Sequence, residues 1–197
     1  MSRLAGPGAL LAVLLVTAGC ASAASGPGRT LSGAAMPVLA TSAVPGVPAV
    51  TTRLTVADLA RDASLPGLAA KITSWGYLSG RQRTFQGESH HLTLVVSRAL
   101  MFRNPAGARH YVSFVREHQT AFFGGFVQAR RLADRALSGW LFTPPLCACH
   151  MANPALIGIL DSRTRVIWLE INGPAATSAL LERLLGVVRN SDPATRI

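Results

Sequence analysis

The first 52 residues contain few large apolar side chains outside one short stretch, and this predicts that the folded part of the chain begins after about Thr52. An apolar stretch runs from Ala9 to Val16 behind a single basic residue. It is too short to cross a bilayer, which needs about 20 apolar residues, and is typical of a secretory signal. Ala, Ser, Gly, Pro, Thr and Val dominate from there on, so residues 20–52 are predicted to form an unpacked tether. A strand around Met36–Leu39 is the alternative.

The residues that close the apolar stretch distinguish two kinds of export signal. Thr17-Ala18-Gly19-Cys20 resembles the bacterial lipobox, with Thr17 where that pattern usually has Leu. The resemblance implies that Cys20 is acylated, that residues 1–19 are the signal peptide, and that the mature protein is anchored to the outer face of the cell membrane. The alternative is ordinary secretion, with cleavage after the Ala-Ser-Ala run at 21–23.

Residues 53–190 have the size of one domain, and residues 191–197 form a tail. Thr55 and Asp58 form a loose capping box that predicts a helix from Val56 to about Arg61. His91 to Phe102 alternates as a strand does, except that Arg98 falls among the apolar positions, which predicts a bulge or a strand end there. The other predicted segments are a helical turn over 68–75, a weak strand over 81–87, a helix after Asn104-Pro105 that continues to Gly124, two ambiguous strands within 126–142, a hairpin over 156–171 and a helix capped by Thr177 or Ser178.

This order of elements predicts a single α+β domain. The short links leave no room for repeated βαβ crossovers, so the sheet is expected to be antiparallel, with helices packed against it. Three segments of the chain resemble actinobacterial lipoproteins. The first covers residues 65–83 and contains Leu-Pro-Gly-Leu, Trp-Gly-Tyr, Gly80 and Arg83. The second is Ala-Gly-Ala-Arg-His-Tyr at 106–111, and the third is the closing strand with the Gly-Pro and the helix that follow it. The resemblance implies a Mog1/PsbP-like fold. It implies no activity, because function belongs to sites rather than folds.

The segment Cys147-Ala-Cys149-His150-Met151 is the densest group of reactive side chains. In an oxidising compartment the two cysteines are expected to form a disulfide across one residue, or to remain free thiols. Thiolate, imidazole and thioether together would instead select copper or zinc. These three alternatives stay open. The haem motif Cys-x-x-Cys-His is absent, so no haem is expected.

No constellation in the sequence indicates catalysis. His90 and His91 lie near Ser89 and Glu88, which a cell-surface hydrolase could use, but neighbours on a strand point to opposite faces and Gly-x-Ser-x-Gly is absent. His110 and His118 are expected on a helix face, without the spacing of a zinc protease. The few carboxylates are scattered, and no phosphate loop or other cofactor motif is present.

The chain has 19 Lys+Arg against 9 Asp+Glu, a net charge of +10 that first suggests a nucleic-acid partner. Aromatic residues make up only 6% of the chain, however, and an exported protein rarely meets nucleic acid. An anionic membrane or wall polymer is therefore the nearer partner for a basic surface; the alternative is that these residues only keep the domain soluble. The candidate contact residues are Arg81, Arg83, Arg130, Arg131, Arg163 and Arg165.

The sequence therefore predicts a lipid-anchored, non-enzymatic module that binds a small ligand or an envelope protein and uses no cofactor. Such a module is expected to offer an apolar pocket without converging titratable groups. The alternatives are soft-metal binding at 147–151 and a cell-surface hydrolase.

Overall fold

The computed structural model describes residues 36–89, 91–125, 127–133, 138–144 and 155–191. In chain order the elements are a 3₁₀ turn at Thr41–Ala43, β1 at Ala49–Leu54, α1 at Val56–Arg61, α2 at Leu68–Ser74, β2 at Tyr77–Ser89, β3 at Leu92–Phe102, α3 at Pro105–Glu117, α4 at Gln119–Phe123, β4 at Gln128–Arg131, β5 at Gly139–Thr143, β6 at Ala155–Ser162, β7 at Arg165–Asn172 and α5 at Ser178–Asn190.

The seven strands of the described residues form one sheet in the order β1-β2-β3-β7-β6-β5-β4. Every neighbouring pair is antiparallel. Strand β7 therefore lies between β3 and β6 at the centre of the sheet, while β1 and β4 form its edges. The predicted α+β class with an antiparallel sheet is confirmed.

Helices cover both faces of the sheet, which explains why the central strands are apolar at successive positions. Strand β7 directs Val166 and Trp168 toward the core that contains α1 to α4, and directs Ile167 and Leu169 toward the core that contains α5. We call these two sides the α3 face and the α5 face. A strand buried on both sides loses the alternation of apolar and polar residues that marks a half-exposed strand.

Short polar signals set the helix boundaries. Thr55 and Asp58 form the reciprocal capping box at the start of α1. The Asn104 side chain accepts a hydrogen bond from the Gly107 N–H at 2.8 Å, and Pro105 is the first residue of α3. Thr177 caps α5 through the Leu180 N–H. Each of these starts was predicted from the sequence.

Three predictions differ from the structure. The folded domain begins before residue 53, because Leu39 and Val44 are buried on the α5 face and β1 starts at Ala49. The tether predicted over 20–52 therefore includes part of the domain. The single helix predicted after Asn104 is two helices, since His118 leaves helical geometry between α3 and α4. Arg98 causes no bulge: β3 pairs in continuous register with β2 and β7 on both sides of it.

Candidate functional site

Cross-strand register brings polar side chains together on the α3 face. Arg98 on β3 pairs with Gln82 on β2 and with Trp168 on β7. Paired residues of neighbouring strands direct their side chains to the same side of a sheet. These three side chains therefore lie in one row across its centre.

Arg98 is held from several directions. Its Nη1 donates to Asp62 Oδ2 at 2.5 Å, and its Nε donates to Gln82 Oε1 at 2.6 Å. Gln82 in turn donates through Nε2 to Thr84 Oγ1 at 3.0 Å. The guanidinium carbon lies 5.2 Å from the centre of the Trp168 ring. An arginine at an apolar position is tolerated because its charge and two of its N–H groups have partners.

A second carboxyl group lies one step along β7. Asn172 Nδ2 donates to Glu170 Oε1 at 3.1 Å. Burial raises the pKa of Glu170, and the Asn172 hydrogen bond and the charge of Arg98 oppose that rise. Burial also raises the pKa of Asp62, against the attraction of Arg98. We call Asp62, Gln82, Thr84, Arg98, Glu170 and Asn172 the polar cluster.

Two buried donors near the polar cluster have no hydrogen-bond partner within the described ranges. Tyr111 on α3 is completely buried, and its hydroxyl is unpaired. Burial is the main cause that raises its pKa; the charge of Asp62 adds to this rise and the charge of Arg98 opposes it. Trp168 is 4% exposed, and its Nε1–H is also unpaired. An unpaired buried donor is costly, so each of these groups calls for an explanation.

The sequence missed this cluster, although it contained one signal of it. Arg98 among the apolar positions of β3 indicated a charge directed into a core, but the distant partners Asp62 and Gln82 could not be identified without the strand order. The expected apolar pocket without converging titratable groups stays a prediction; on the α3 face Asp62 pairs with Arg98, whose charge also acts on Glu170.

The histidines take no part in the cluster. His118 Nδ1 lies 3.1 Å from the carbonyl oxygen of Phe114. His110 on α3 packs near the ring of Trp75. His91 lies in the turn between β2 and β3 with a φ of 62°, and its carbonyl oxygen accepts from the Ala175 N–H. Across the described ranges no histidine side chain hydrogen-bonds to a carboxylate. His90 lies outside them.

The predicted cysteine sites also lie outside the described residues. These sites are the lipidation site Cys20 and the Cys147, Cys149, His150 and Met151 segment. Within the part of the chain that is described, no group of three or more His, Cys, Asp or Glu side chains is placed to hold a metal ion.

The six arginines predicted to contact an anionic surface are dispersed. Arg81 and Arg83 lie on β2, and the Arg83 side chain donates to Thr51 Oγ1 at 2.9 Å and to the Leu39 carbonyl at 2.8 Å, which ties the first described residues to the sheet. Strands β2 and β4 are separated by four others, or about 24 Å at the usual spacing. The arginines of these two strands therefore do not form one patch.

The remaining predicted arginines differ in their environments. Arg130 lies 3.7 Å from the Glu182 carboxylate, and Arg163 is in the β6–β7 turn with a φ of 54°. Arg165 is 5% exposed, so its prediction as a surface contact is wrong: the strand turns it inward. Arg131 is exposed and lies over a tryptophan ring.

No helix within the described ranges is long and apolar enough to span a membrane.

The fold and the polar cluster together define an α+β domain whose antiparallel sheet is covered by helices on both faces. The solved structures include a similar domain, the extracellular domain of PknH from Mycobacterium tuberculosis. The two share a TM-score of 0.53 and 10% sequence identity, over 80% of this chain and 93% of that one. At this identity the similarity shows the fold alone. No protein-family model and no curated protein matches the chain.

Proposed function

We propose that this chain is an exported, non-enzymatic binding module, anchored through acylated Cys20, that takes a small polar ligand at the polar cluster. The observation that carries the binding role is the pair of unpartnered donors, Tyr111 Oη and Trp168 Nε1; the Trp168 ring lies against Arg98, which pairs with Asp62. Buried polar groups without protein partners are expected to bind something else. A ligand acceptor atom would satisfy them.

The unpaired groups restrict the ligand's chemistry. Tyr111 and Trp168 each offer a donor, so the ligand must bring acceptors such as hydroxyl or carbonyl oxygens. Arg98 faces the carboxyl groups of Asp62 and Glu170, and thus there is no excess positive charge to hold an anion. A small uncharged molecule rich in oxygen fits these conditions.

Export and anchoring are supported by the first 20 residues. The apolar stretch, the lipobox-like residues before Cys20 and the resemblance to Mog1/PsbP-like actinobacterial lipoproteins all agree with this location. The PknH domain of similar fold is itself described as extracellular.

The binding role is tested by native mass spectrometry of the full-length protein extracted from its host membrane. A small-molecule mass should accompany the wild-type protein and be reduced in Tyr111→Phe. Tyr77→Phe is the matched control, since Tyr77 Oη already donates to the Leu54 carbonyl at 2.7 Å. The control should retain the mass. A wild-type protein that carries no such mass, with only a water molecule on Tyr111 Oη in a high-resolution crystal structure, would refute the binding role.

The anchor is tested separately by Cys20→Ala. This variant should leave the membrane fraction, and the wild-type protein should show the mass of an acylated N-terminal cysteine. Unchanged partition of Cys20→Ala into membranes would show that Cys20 is not the anchor.

A further inference from the structure

Trp140 on β5 lies beneath two guanidinium groups. The guanidinium carbon of Arg116 is 4.4 Å from the centre of the indole ring, and that of Arg131 is 4.2 Å from it. Both arginines are exposed, and Trp140 is half-buried. We call these three residues the Arg–Trp–Arg stack.

The fold brings the three residues together from separate elements. Arg131 on the edge strand β4 pairs with Trp140 on β5, so both side chains point to the α3 face. Arg116 reaches the same ring from α3. Arg109 lies seven residues before Arg116, on the same stripe of the helix, and is exposed as well. The stack therefore continues into a basic stripe along α3.

The charges of the stack have no acidic partner among the described residues. By contrast, Arg61 pairs with Asp58, Arg98 with Asp62 and Arg130 with Glu182. Arg116 and Arg131 instead lie over the tryptophan ring. This contact uses the flat faces of the guanidinium groups, so their N–H groups remain available to other acceptors. Two positioned guanidiniums lose less rotational freedom when they bind an oxyanion than free side chains do.

We infer that the Arg–Trp–Arg stack is a docking surface for anionic phospholipid headgroups. Guanidinium groups suit phosphate oxygens because they can donate two parallel hydrogen bonds, and tryptophan favours the interface between water and lipid. The choice of a membrane as the partner rests on the proposed anchor at Cys20. Cys20 and Met36 are 16 positions apart in the sequence, so an extended tether would keep the domain within about 55 Å of the bilayer.

The test uses the acylated full-length protein in lipid nanodiscs, with lipids brominated near the headgroup as quenchers of tryptophan fluorescence. Trp140→Phe provides the baseline, because Trp75 and Trp168 also fluoresce. Trp140 should be quenched in discs that contain phosphatidylglycerol and not in discs of phosphatidylcholine alone. Equal quenching in the two kinds of disc would overturn the proposal.

A pair of double variants separates the stack from overall charge. Arg116→Gln with Arg131→Gln should abolish the quenching of Trp140 in anionic discs. Arg53→Gln with Arg183→Gln removes the same charge from exposed positions on β1 and α5, and should leave the quenching unchanged. If the two double variants lose the quenching of Trp140 equally, net charge alone draws the domain to the membrane and the proposed docking surface is wrong.

A titration separates a failure of docking from a failure of the anchor. Failure of the protein to co-purify with phosphatidylcholine discs would contradict the anchor alone. Cys20→Ala added to anionic discs should still bind in a salt-dependent way, about 30-fold more tightly than the same chain with Arg116→Gln and Arg131→Gln. Equal affinities would overturn the docking surface whether or not Cys20 is acylated.

Discussion

Arg98 and Trp168 are cross-strand partners on β3 and β7, and the guanidinium carbon lies 5.2 Å from the centre of the indole ring. The ring shields the cation from water on one side, while Asp62 and Gln82 accept its hydrogen bonds on others. A charge can remain at the centre of the sheet only because these contacts replace its hydration. The pair therefore links the stability of the domain to the polar cluster.

Replacement of Arg98 by Met should destabilise the domain by about 2–3 kcal/mol. The aliphatic part of the side chain is kept, but Asp62 and Glu170 lose a neighbouring cation, and a half-buried carboxylate without a counter-charge is costly. The free energy of unfolding in urea measures the change. Arg61→Met is the control: its side chain is 75% exposed, so the loss should be much smaller. Equal losses in the two variants would contradict the role assigned to Arg98.

Replacement of Tyr111 by Phe should leave the ligand-free domain as stable as the wild type, or more stable by up to about 1 kcal/mol. The ring and its packing against Phe102 are kept, and an unpartnered buried hydroxyl is removed. Tyr77→Phe should instead destabilise by about 1 kcal/mol, because the Tyr77 hydroxyl has a partner. Chemical unfolding of both variants after removal of ligand checks this contrast. A clear loss of stability in Tyr111→Phe would show that the hydroxyl has a partner in the native protein.

Glu170 should make the domain less stable as the pH rises above about 4.5. Burial raises the pKa of this carboxyl group in the folded state above its ordinary value of 4.5. The folded state therefore binds the proton of Glu170 more tightly than the unfolded state does. The contribution of this proton to stability is complete below the pKa of the unfolded state, and it is lost as the pH rises through the pKa of the folded state. Glu170→Gln should gain stability over the wild type between pH 4 and 7.

Urea unfolding of both proteins across that range measures the pH effect. Asp62 shifts in the same direction and remains in both proteins, and its charge is the smallest of the effects on the pKa of Glu170. A difference between wild type and Glu170→Gln that stays constant with pH would show that Glu170 has the same pKa in the folded and unfolded states.

Replacement by alanine should change the stability of the domain in opposite directions at two glycines on different helices. At Gly107 in α3 an added Cβ would lie 2.0 Å from the Trp75 carbonyl oxygen, so α3 would have to move away from the backbone at Trp75. Gly107→Ala is therefore expected to lower the free energy of unfolding by about 2 kcal/mol or more. At Gly186 in α5 nothing lies within 4 Å, and the gain in helix propensity should stabilise by about 1 kcal/mol. Thermal unfolding of the two variants distinguishes these effects. A stable Gly107→Ala protein would contradict the close contact between α3 and Trp75.

Local signals predicted much of the secondary structure because they act within a few residues. The capping box at Thr55, the Asn104-Pro105 start and the alternation over 91–102 each depend on neighbours in sequence. The start of the domain was predicted too late, because Leu39 is buried in a core cluster made mostly of residues distant in sequence, such as Phe85 and Val95. The Leu39 N–H donates to Ser97 Oγ at 2.9 Å across 58 positions.

The sequence by itself determined the α+β class, most helix starts, the hairpin of β6 and β7, and the expectation of export from the residues before Cys20. Only the tertiary structure decided which side chains meet. Asp62, Gln82, Arg98 and Glu170 are far apart in the chain, and so are Arg116, Arg131 and Trp140. The strand order β2-β3-β7 and the pairing of β4 with β5 bring them together. Short-range propensities cannot specify such contacts, because each depends on which distant strands pair and in what register.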